Sequence, residues 1–338
     1  MKFSFIIPVY NCRDYLTACV ESILASKNDA LEIILINDGS TDGSGAVCDE
    51  LAQLYPQVRV IHQPNGGASA ARNRGIREAQ GEHILFFDAD DTINAKQLGT
   101  VLADLRCSEA DLTIFGMTFD YYSKGLCYRQ DPLFFKHDGI LSYCDWQQAF
   151  AQLYAQNSLS PVWNKVFRRH ILLEHHLKLD TALFLYEDLE FVLRYLAHCE
   201  TIFNVPQAIY HYRQAEDEGN AKRRLTRIDR LSDLVGIIEA AANGLPGVPA
   251  DQREAMLVSL FQVLAREKIS VSNLNQIGRI CDDYAAWYGD RTCCPGNHQF
   301  HHHLMTRQTL RLMLRDRKTA LRHKIAVWVK SHHLYRRK

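Results

Sequence analysis

The first hundred residues predict an α/β domain with a parallel sheet covered by helices on both faces. Three observations carry this. Apolar runs of strand length recur at Phe3 to Val9, Leu31 to Ile36, Val58 to His62 and His83 to Phe87. Stretches of helical period separate them, and the connections are short and rich in turn formers. Strand, helix, strand in alternation implies right-handed crossovers, and buried parallel strands read as near-continuous apolar runs.

The first strand stops at Pro8-Val9-Tyr10-Asn11, and Tyr15, Leu16, Cys19, Val20, Ile23 and Leu24 then recur at helical spacing. The second ends in Asn37-Asp38-Gly39-Ser40-Thr41-Asp42-Gly43-Ser44, which joins turn formers to helix-cap residues, and Val47, Leu51 and Leu54 mark the helix that follows. After the third strand, Asn65-Gly66-Gly67 makes a turn and Ala68 to Ala79 a helix. The fourth strand runs into Asp88-Ala89-Asp90-Asp91, three carboxylates in four positions. Strands of this kind present ligand chemistry at their carboxyl ends. Acids so close together suit a hard cation on a turning chain, and equally suit a turn followed by a helix cap.

Beyond a helix from Asn94 to Leu105 the pattern loosens. Asp111 to Phe119 reads as a strand, Tyr121 to Asp138 as an aromatic, irregular excursion over a pocket, and Pro161 to Phe167 as an alternating strand. Leu189, Val192, Leu193 and Leu196 form a helix stripe opened by Glu187-Asp188, and Ala208 to Arg213 alternates as another strand. Polar residues around 216–220 then lead into a region of helical period, with helices expected over 225–242, 251–267 and 271–288.

Composition bounds the function. The 338 residues are 47% hydrophobic and 23% charged, as in ordinary soluble proteins, and the formal net charge is zero. That average hides an asymmetry, because residues 304–338 hold eleven Lys/Arg against one acid, Asp316. Leu310, Leu314, Leu321, Ile325 and Trp328 lie near one face of a helix there, ringed by Arg311, Arg315, Lys318, Arg322 and Lys330. This is the make-up of a helix lying on an anionic membrane surface, and it also suits a helix packed on the rest of the chain. Ten cysteines without a C-x-x-C pair point to a reducing cytoplasm rather than a disulfide framework. No run of about 18 apolar residues occurs, so no transmembrane helix is expected. His301 to His303 lack a spaced metal-binding partner and read as linker.

Three polar strand ends, Pro8 to Asn11, Asn37 to Ser44 and Asp88 to Asp91, emerge on one edge of such a sheet and can line one crevice. Arg72, in Ala71-Arg72-Asn73-Arg74-Gly75, sits near a helix start that favours phosphate. In order and spacing these segments resemble the motif series of family-two inverting glycosyltransferases of the GT-A fold. Trp163-Asn164-Lys165-Val166-Phe167, Glu187-Asp188-Leu189-Glu190-Phe191 and Tyr210-His211-Tyr212-Arg213 resemble that family's acceptor-side segments. The resemblance covers residues 1–215.

It implies a Rossmann-like GT-A catalytic domain over 1–215, with a mixed sheet, a nucleotide-sugar half over 1–105 and an acceptor half over 106–215. A helical accessory region over 216–303 and a basic amphipathic helix over 304–338 extend it. It further implies a UDP-sugar donor, a glycan or lipid-linked acceptor, a Mg²⁺ or Mn²⁺ cofactor, and a cytoplasmic location at the inner face of the plasma membrane. The donor wall would be Pro8, Val9, Tyr10, Asn11, Asp38, Arg72, Asp88 and Ala89, with Asp38 reading uracil and Arg72 near the diphosphate. Asp90 and His211 would approach the metal, and Asp91 is left as a helix cap. Asp188 would be the general base with Glu187 beside it, while Trp163, Lys165 and Arg213 would face the acceptor. A nucleic-acid partner is not implied. A nucleotidyltransferase of similar core would need a Gly-rich phosphate loop that Pro8 to Asn11 does not supply, and an inactive nucleotide-sugar-binding protein is the non-enzymatic rival. No Q-x-x-R-W segment supports a processive synthase.

Overall fold

The computed structural model describes residues 2–105, 109–123, 125–156, 158–214 and 231–271, together with Asp283 and Trp287. The basic segment 304–338 and His301 to His303 lie outside these residues, as does most of the helix expected over 271–288. Two compact units divide the chain: residues 1–218 with 237–256, and residues 219–236 with 257–338.

The first unit opens with β1 (Phe3–Val9), α1 (Arg13–Leu24), β2 (Leu31–Asp38), α2 (Ser44–Leu54), β3 (Val58–Gln63), α3 (Ala68–Glu78) and β4 (His83–Phe86). It continues through β5 (Thr92–Ile93), α4 (Ala95–Asp104), β6 (Leu112–Ser123), β7 (Leu126–Leu133), β8 (Gly139–Leu141), α5 (Tyr143–Gln148), α6 (Phe150–Ala155), β9 (Lys165–Arg168), α7 (Arg169–Glu174), α8 (Glu187–Leu196) and β10 (Ile202–Gln214). Two further helices, α9 (Leu231–Asn243) and α10 (Ala250–Val271), follow. Residues 237–256, read from the sequence as part of the helical accessory region, belong to the first unit. They are tied to it through the Pro246 carbonyl, which accepts from Tyr143 Oη at 3.0 Å and Gln147 Nε2 at 2.8 Å.

The sheet order is β3-β2-β1-β4-β9-β6-β10-β5, with β7 on β6 and β8 on β10. Strands β1 to β4 pair in parallel, β9 runs antiparallel between β4 and β6, and β6 pairs in parallel with β10. The sheet is therefore mixed, and β1, β2, β4, β6 and β10 point their carboxyl ends to one edge. The chain builds outward from β1 to β3 and then returns to place β4 on the other side of β1. That reversal is the switch point where open α/β sheets bind ligands.

On β1, Phe3, Phe5, Ile7 and Val9 join the core beneath α1, α2 and α4. Ile6 faces the opposite side, where α3 passes so close that a Cβ on Gly75 would stand 2.1 Å from its Cγ2. On that side Phe191 of α8 packs edge-on to Phe86 and Phe167. Among the described residues no helix is long and apolar enough to cross a membrane.

Two sequence expectations change here. Residues 126–133 are not irregular: they form β7, an antiparallel partner of β6 across a hairpin. The strand expected from Pro161 to Phe167 starts only at Lys165, because 158–164 takes no regular structure.

Candidate active site

The loop after β1 and the loop after β2 hold each other. Asn11 adopts a left-handed φ of 52°, a region Asn tolerates well. Its Oδ1 accepts from Thr41 N at 2.8 Å, and its own N–H donates to Ser40 Oγ. Tyr10 beside it is 53% exposed, an aromatic face standing at the site mouth. Asp38, at the end of β2, is only 2% exposed. Its carboxylate accepts from Gln63 Nε2 at 2.8 Å, Gly66 N at 2.9 Å and Gly67 N at 2.8 Å, which sets the entry to α3. Gly67 there has a φ of 86°.

Arg72, one turn into α3, is buried and bridges two carboxylates. Its Nη2 donates to Asp88 Oδ1 at 2.7 Å and its Nη1 to Asp188 Oδ1 at 3.2 Å. Burial alone would lower its pKa; the charges of Asp188 and Asp88 more than offset this and hold it well above its usual value. One guanidinium thus joins the strand end after β4 to the first turn of α8.

The three acids after β4 take different environments. Asp88 N donates to Tyr210 Oη at 3.2 Å, and Tyr210 Oη donates to Asp91 Oδ2 at 2.6 Å. Asp91 is 1% exposed and also accepts from Arg213 N at 2.7 Å. Burial, then Asp88 and Asp90, push its carboxyl well above the usual range. Asp91 is therefore not the cap of the following helix. Asn94 caps α4 by accepting from Gln97 N at 3.1 Å, and Asp91 instead ties β10 to the acidic loop. Asp90 is exposed as a residue, yet the surrounding protein and then Asp88 push its carboxyl up to about 6. Ala89 between them is buried.

Asp188 opens α8 behind Tyr186, whose φ of 60° turns the chain sharply into the helix. Its side chain lies deep but keeps 21% of its surface open. Burial raises its pKa to about 6; Arg72 opposes that rise, while Glu187 and Asp88 add to it. A carboxyl poised there accepts a proton at neutral pH and still carries appreciable basicity. Asn73, next to Arg72, exchanges two 2.8 Å hydrogen bonds with the Leu179 backbone and so fixes the segment leading to α8.

The residues expected at the acceptor take different surroundings. Lys165 is fully buried, its Nζ donating to Ser158 O, Pro161 O and Asn164 Oδ1, so it does not face an open groove. Trp163 is 7% exposed and stacks on Tyr210 at 4.3 Å and Tyr212 at 5.1 Å, which makes it part of the wall rather than a free platform. The Arg213 guanidinium lies over Tyr122 at 3.6 Å and Tyr15 at 4.7 Å, and its charge lowers the pKa of Asp90. It stands with the acidic wall.

The model of glycosyl transferase family 2 matches residues 4–174, half of the chain. The chain belongs to that family. It is 31% identical over 242 residues to the uncharacterized glycosyltransferase YibD of Escherichia coli (strain K12), covering 68% of this chain and 70% of that protein. Among solved structures, S. aureus TarS 1-349 in complex with UDP aligns with a TM-score of 0.66 at 18% identity, over 100% of this chain and 93% of that one. The same TarS region in complex with UDP-GlcNAc aligns at 0.65 and 19% identity, over the same shares. The mannosyltransferase PcManGT from Pyrobaculum calidifontis, in complex with GDP-Man and Mn2+, aligns at 0.51 and 16% identity over 98% of this chain and 85% of that one. At these identities the likeness establishes the fold, which is GT-A.

For a member of this family the question is whether the residues suit a divalent cation. Among the described residues no three His, Cys, Asp or Glu side chains converge as a complete cage. Mg²⁺-type sites commonly use one or two carboxylates and complete themselves with substrate phosphates. Asp90 fits, being open and crowded by the like charge of Asp88. His211 is compatible too, because its Nδ1 lies 3.1 Å from Asp120 Oδ2, an arrangement that orients the ring and would leave Nε2 for a ligand.

Sequence reasoning missed Tyr210, Asp120 and Asn73. Tyr210 was read as an alternating strand residue within an acceptor-side segment, and nothing local marks its reach to Asp88 and Asp91 more than a hundred positions away. Asp120 lay between the strand read as far as Phe119 and the irregular stretch read from Tyr121, and Asn73 was masked by the arginines on either side.

Proposed function

We propose that this family 2 transferase moves one sugar from a UDP-sugar to a hydroxyl of a glycan or lipid-linked acceptor, with inversion at the anomeric carbon. The observation that carries the reading is the Asp88–Arg72–Asp188 bridge, which couples the acidic strand end to a carboxyl whose pKa is raised to about 6. In a single displacement, Asp188 takes the proton of the acceptor hydroxyl as that oxygen bonds to the anomeric carbon. The bond from that carbon to the diphosphate breaks, and its electron pair leaves with UDP. Glu187, adjacent and half-buried, helps to keep Asp188 basic. A bound Mg²⁺ or Mn²⁺ would neutralise charge building on the leaving diphosphate.

Asp90 and His211 would hold that ion, and Asp88 would orient the donor ribose or a metal-bound water. Arg213 and Arg72 add positive charge on either side. Pro8, Val9, Tyr10, Asn11 and Ala89 would enclose the uridine, with Tyr10 exposed to meet the base and Asp38 reading uracil at the loop it already organises. The TarS complexes with UDP and UDP-GlcNAc support a UDP-linked donor, and the PcManGT complex with Mn2+ supports the cation. Whether the sugar is a hexose or an N-acetylhexosamine follows from loops around this pocket. A cytoplasmic place at the inner membrane face, through 304–338, fits the composition of that segment.

The pH profile tests the base. Asp188 must be deprotonated to accept a proton, so kcat should fall about tenfold per pH unit below its folded pKa of about 6. Saturating Mn²⁺ separates the contributions, because the ion competes with protons at Asp90 and not at Asp188. A flat profile from about pH 8 down to about pH 5 under saturating metal would contradict a base with this pKa.

A further inference from the structure

We propose that the first unit carries a second binding site, for a sugar phosphate, in the cavity between α3, α8 and the segment 176–181. It does not depend on which carboxylate is the catalytic base. Arg72 and Asp188 face each other across the two helices, joined by their 3.2 Å hydrogen bond. Asn73 with Arg77 on α3, and Glu190 with Arg194 on α8, are pairs four residues apart that share other faces of those helices. Together with segment 176–181 they line a cavity of about 570 Å³. None of its lining residues belongs to the donor wall or to the acidic loop after β4.

The segment is built to present charge. Leu177 and Leu179 are buried while His176, Lys178 and Asp180 are exposed, the alternation of a chain with one side against the core. Its backbone is held from both helices. Asn73 exchanges two 2.8 Å hydrogen bonds with Leu179, and Arg194 Nη2 donates to Lys178 O at 2.5 Å. Arg194 is fixed in turn by Glu190, whose two carboxylate oxygens accept from its Nε at 2.5 Å and its Nη2 at 2.9 Å. The walls are therefore set before a ligand arrives, which lowers the ordering cost of binding.

Charge and volume then decide the class of ligand. Glu190 and Arg194 neutralise each other. Among the described residues Arg77 and Lys178 have no carboxylate partner, and Asp180, whose Oδ1 accepts from Ala182 N at 2.8 Å, is the one acid left on the lining. An excess of positive charge made of a planar guanidinium fork and an ammonium suits a phosphate. A bare phosphate would leave most of the space empty, because the cavity holds the volume of roughly twenty waters. Asp180 and the Thr181 hydroxyl add acceptors that an anion cannot use and sugar hydroxyls can.

Isothermal titration calorimetry on the full chain, at constant ionic strength, tests the site with glucose 6-phosphate, glucose and inorganic phosphate. Glucose 6-phosphate should bind at least tenfold more tightly than either of the others. Arg77→Ala should weaken it about tenfold, the worth of one charge-assisted hydrogen bond, and the double variant Arg77→Ala/Lys178→Ala should abolish it. Both side chains are exposed, so neither substitution threatens the fold, and UDP affinity on the same samples reports on the donor pocket separately. No binding by the parent chain, or unchanged affinity in the double variant, overturns the proposal. Inorganic phosphate binding as tightly as glucose 6-phosphate overturns the sugar half of it, and glucose binding as tightly overturns the anionic half. A parent chain that binds glucose 6-phosphate through Arg77 but fails to bind UDP would count against the donor reading alone.

Discussion

Asp188→Asn should leave UDP bound at near-normal affinity and remove about 10²- to 10⁴-fold of the transfer rate, the contribution of a positioned general base. The substitution is nearly isosteric, and its amide oxygen can still accept from Arg72 Nη1, which lies 3.2 Å from Asp188 Oδ1. Arg72 also keeps Asp88 at 2.7 Å, so the donor wall stays in place. What disappears is the ability to take a proton. Calorimetric UDP binding and UDP release, measured on the same preparation, separate the two effects. Turnover within a few-fold of the parent would move the base elsewhere, with Glu187 the neighbouring carboxylate.

Arg72→Met is the second large effect, and it reaches stability as well as activity. The guanidinium is 5% exposed, against 26% for Asp88 and 21% for Asp188. Removing it leaves two largely desolvated carboxylates without their cation, a loss of about 3–5 kcal/mol. For a unit of this size that is roughly ten degrees in Tm. The sign of its pH dependence follows from linkage. Without Arg72 the folded-state pKa of Asp188, already raised to about 6, rises further above the unfolded value, so the folded variant binds more protons and loses stability as pH rises. The deficit should be larger at about pH 8 than at about pH 5 in thermal unfolding scans. A deficit that does not vary with pH would mean that packing, rather than the paired charges, is what Arg72 contributes. Transfer should be lost along with the bridge.

The half of the sheet from β1 to β4 was legible because its information is local. Each strand is a short apolar run, each connection carries its own turn formers, and the reversal at β4 brings the polar strand ends together without reference to distant residues. Two of the errors share one physical origin, which is long-range partnering. Asp91 obeys the rule for helix caps until Tyr210, 119 positions away, supplies a buried donor and Asn94 takes over the cap. Lys165 alternates as an outward-facing strand residue would, and only the folded loop 158–164 provides the three oxygens that let a charge lie inside. Strand β7 escaped notice because it is exposed along nearly its whole length and so shows no alternation. Pro132 within it pairs with Thr118, and sheet edges tolerate proline.

Trp163 and Arg213 were read from the sequence as acceptor-side residues, and their aromatic partners were not readable there. In the fold they close the acidic wall through Tyr210, Tyr212 and Tyr122. That wall and the Asp88–Arg72–Asp188 bridge are where the account stands or falls as chemistry. The most direct measurement is UDP, GDP or dTDP release from the corresponding sugar nucleotides, with and without Mn²⁺. Turnover confined to UDP-sugars and dependent on the metal is the predicted result, and metal-independent release or a preference for GDP- or dTDP-sugars would contradict it.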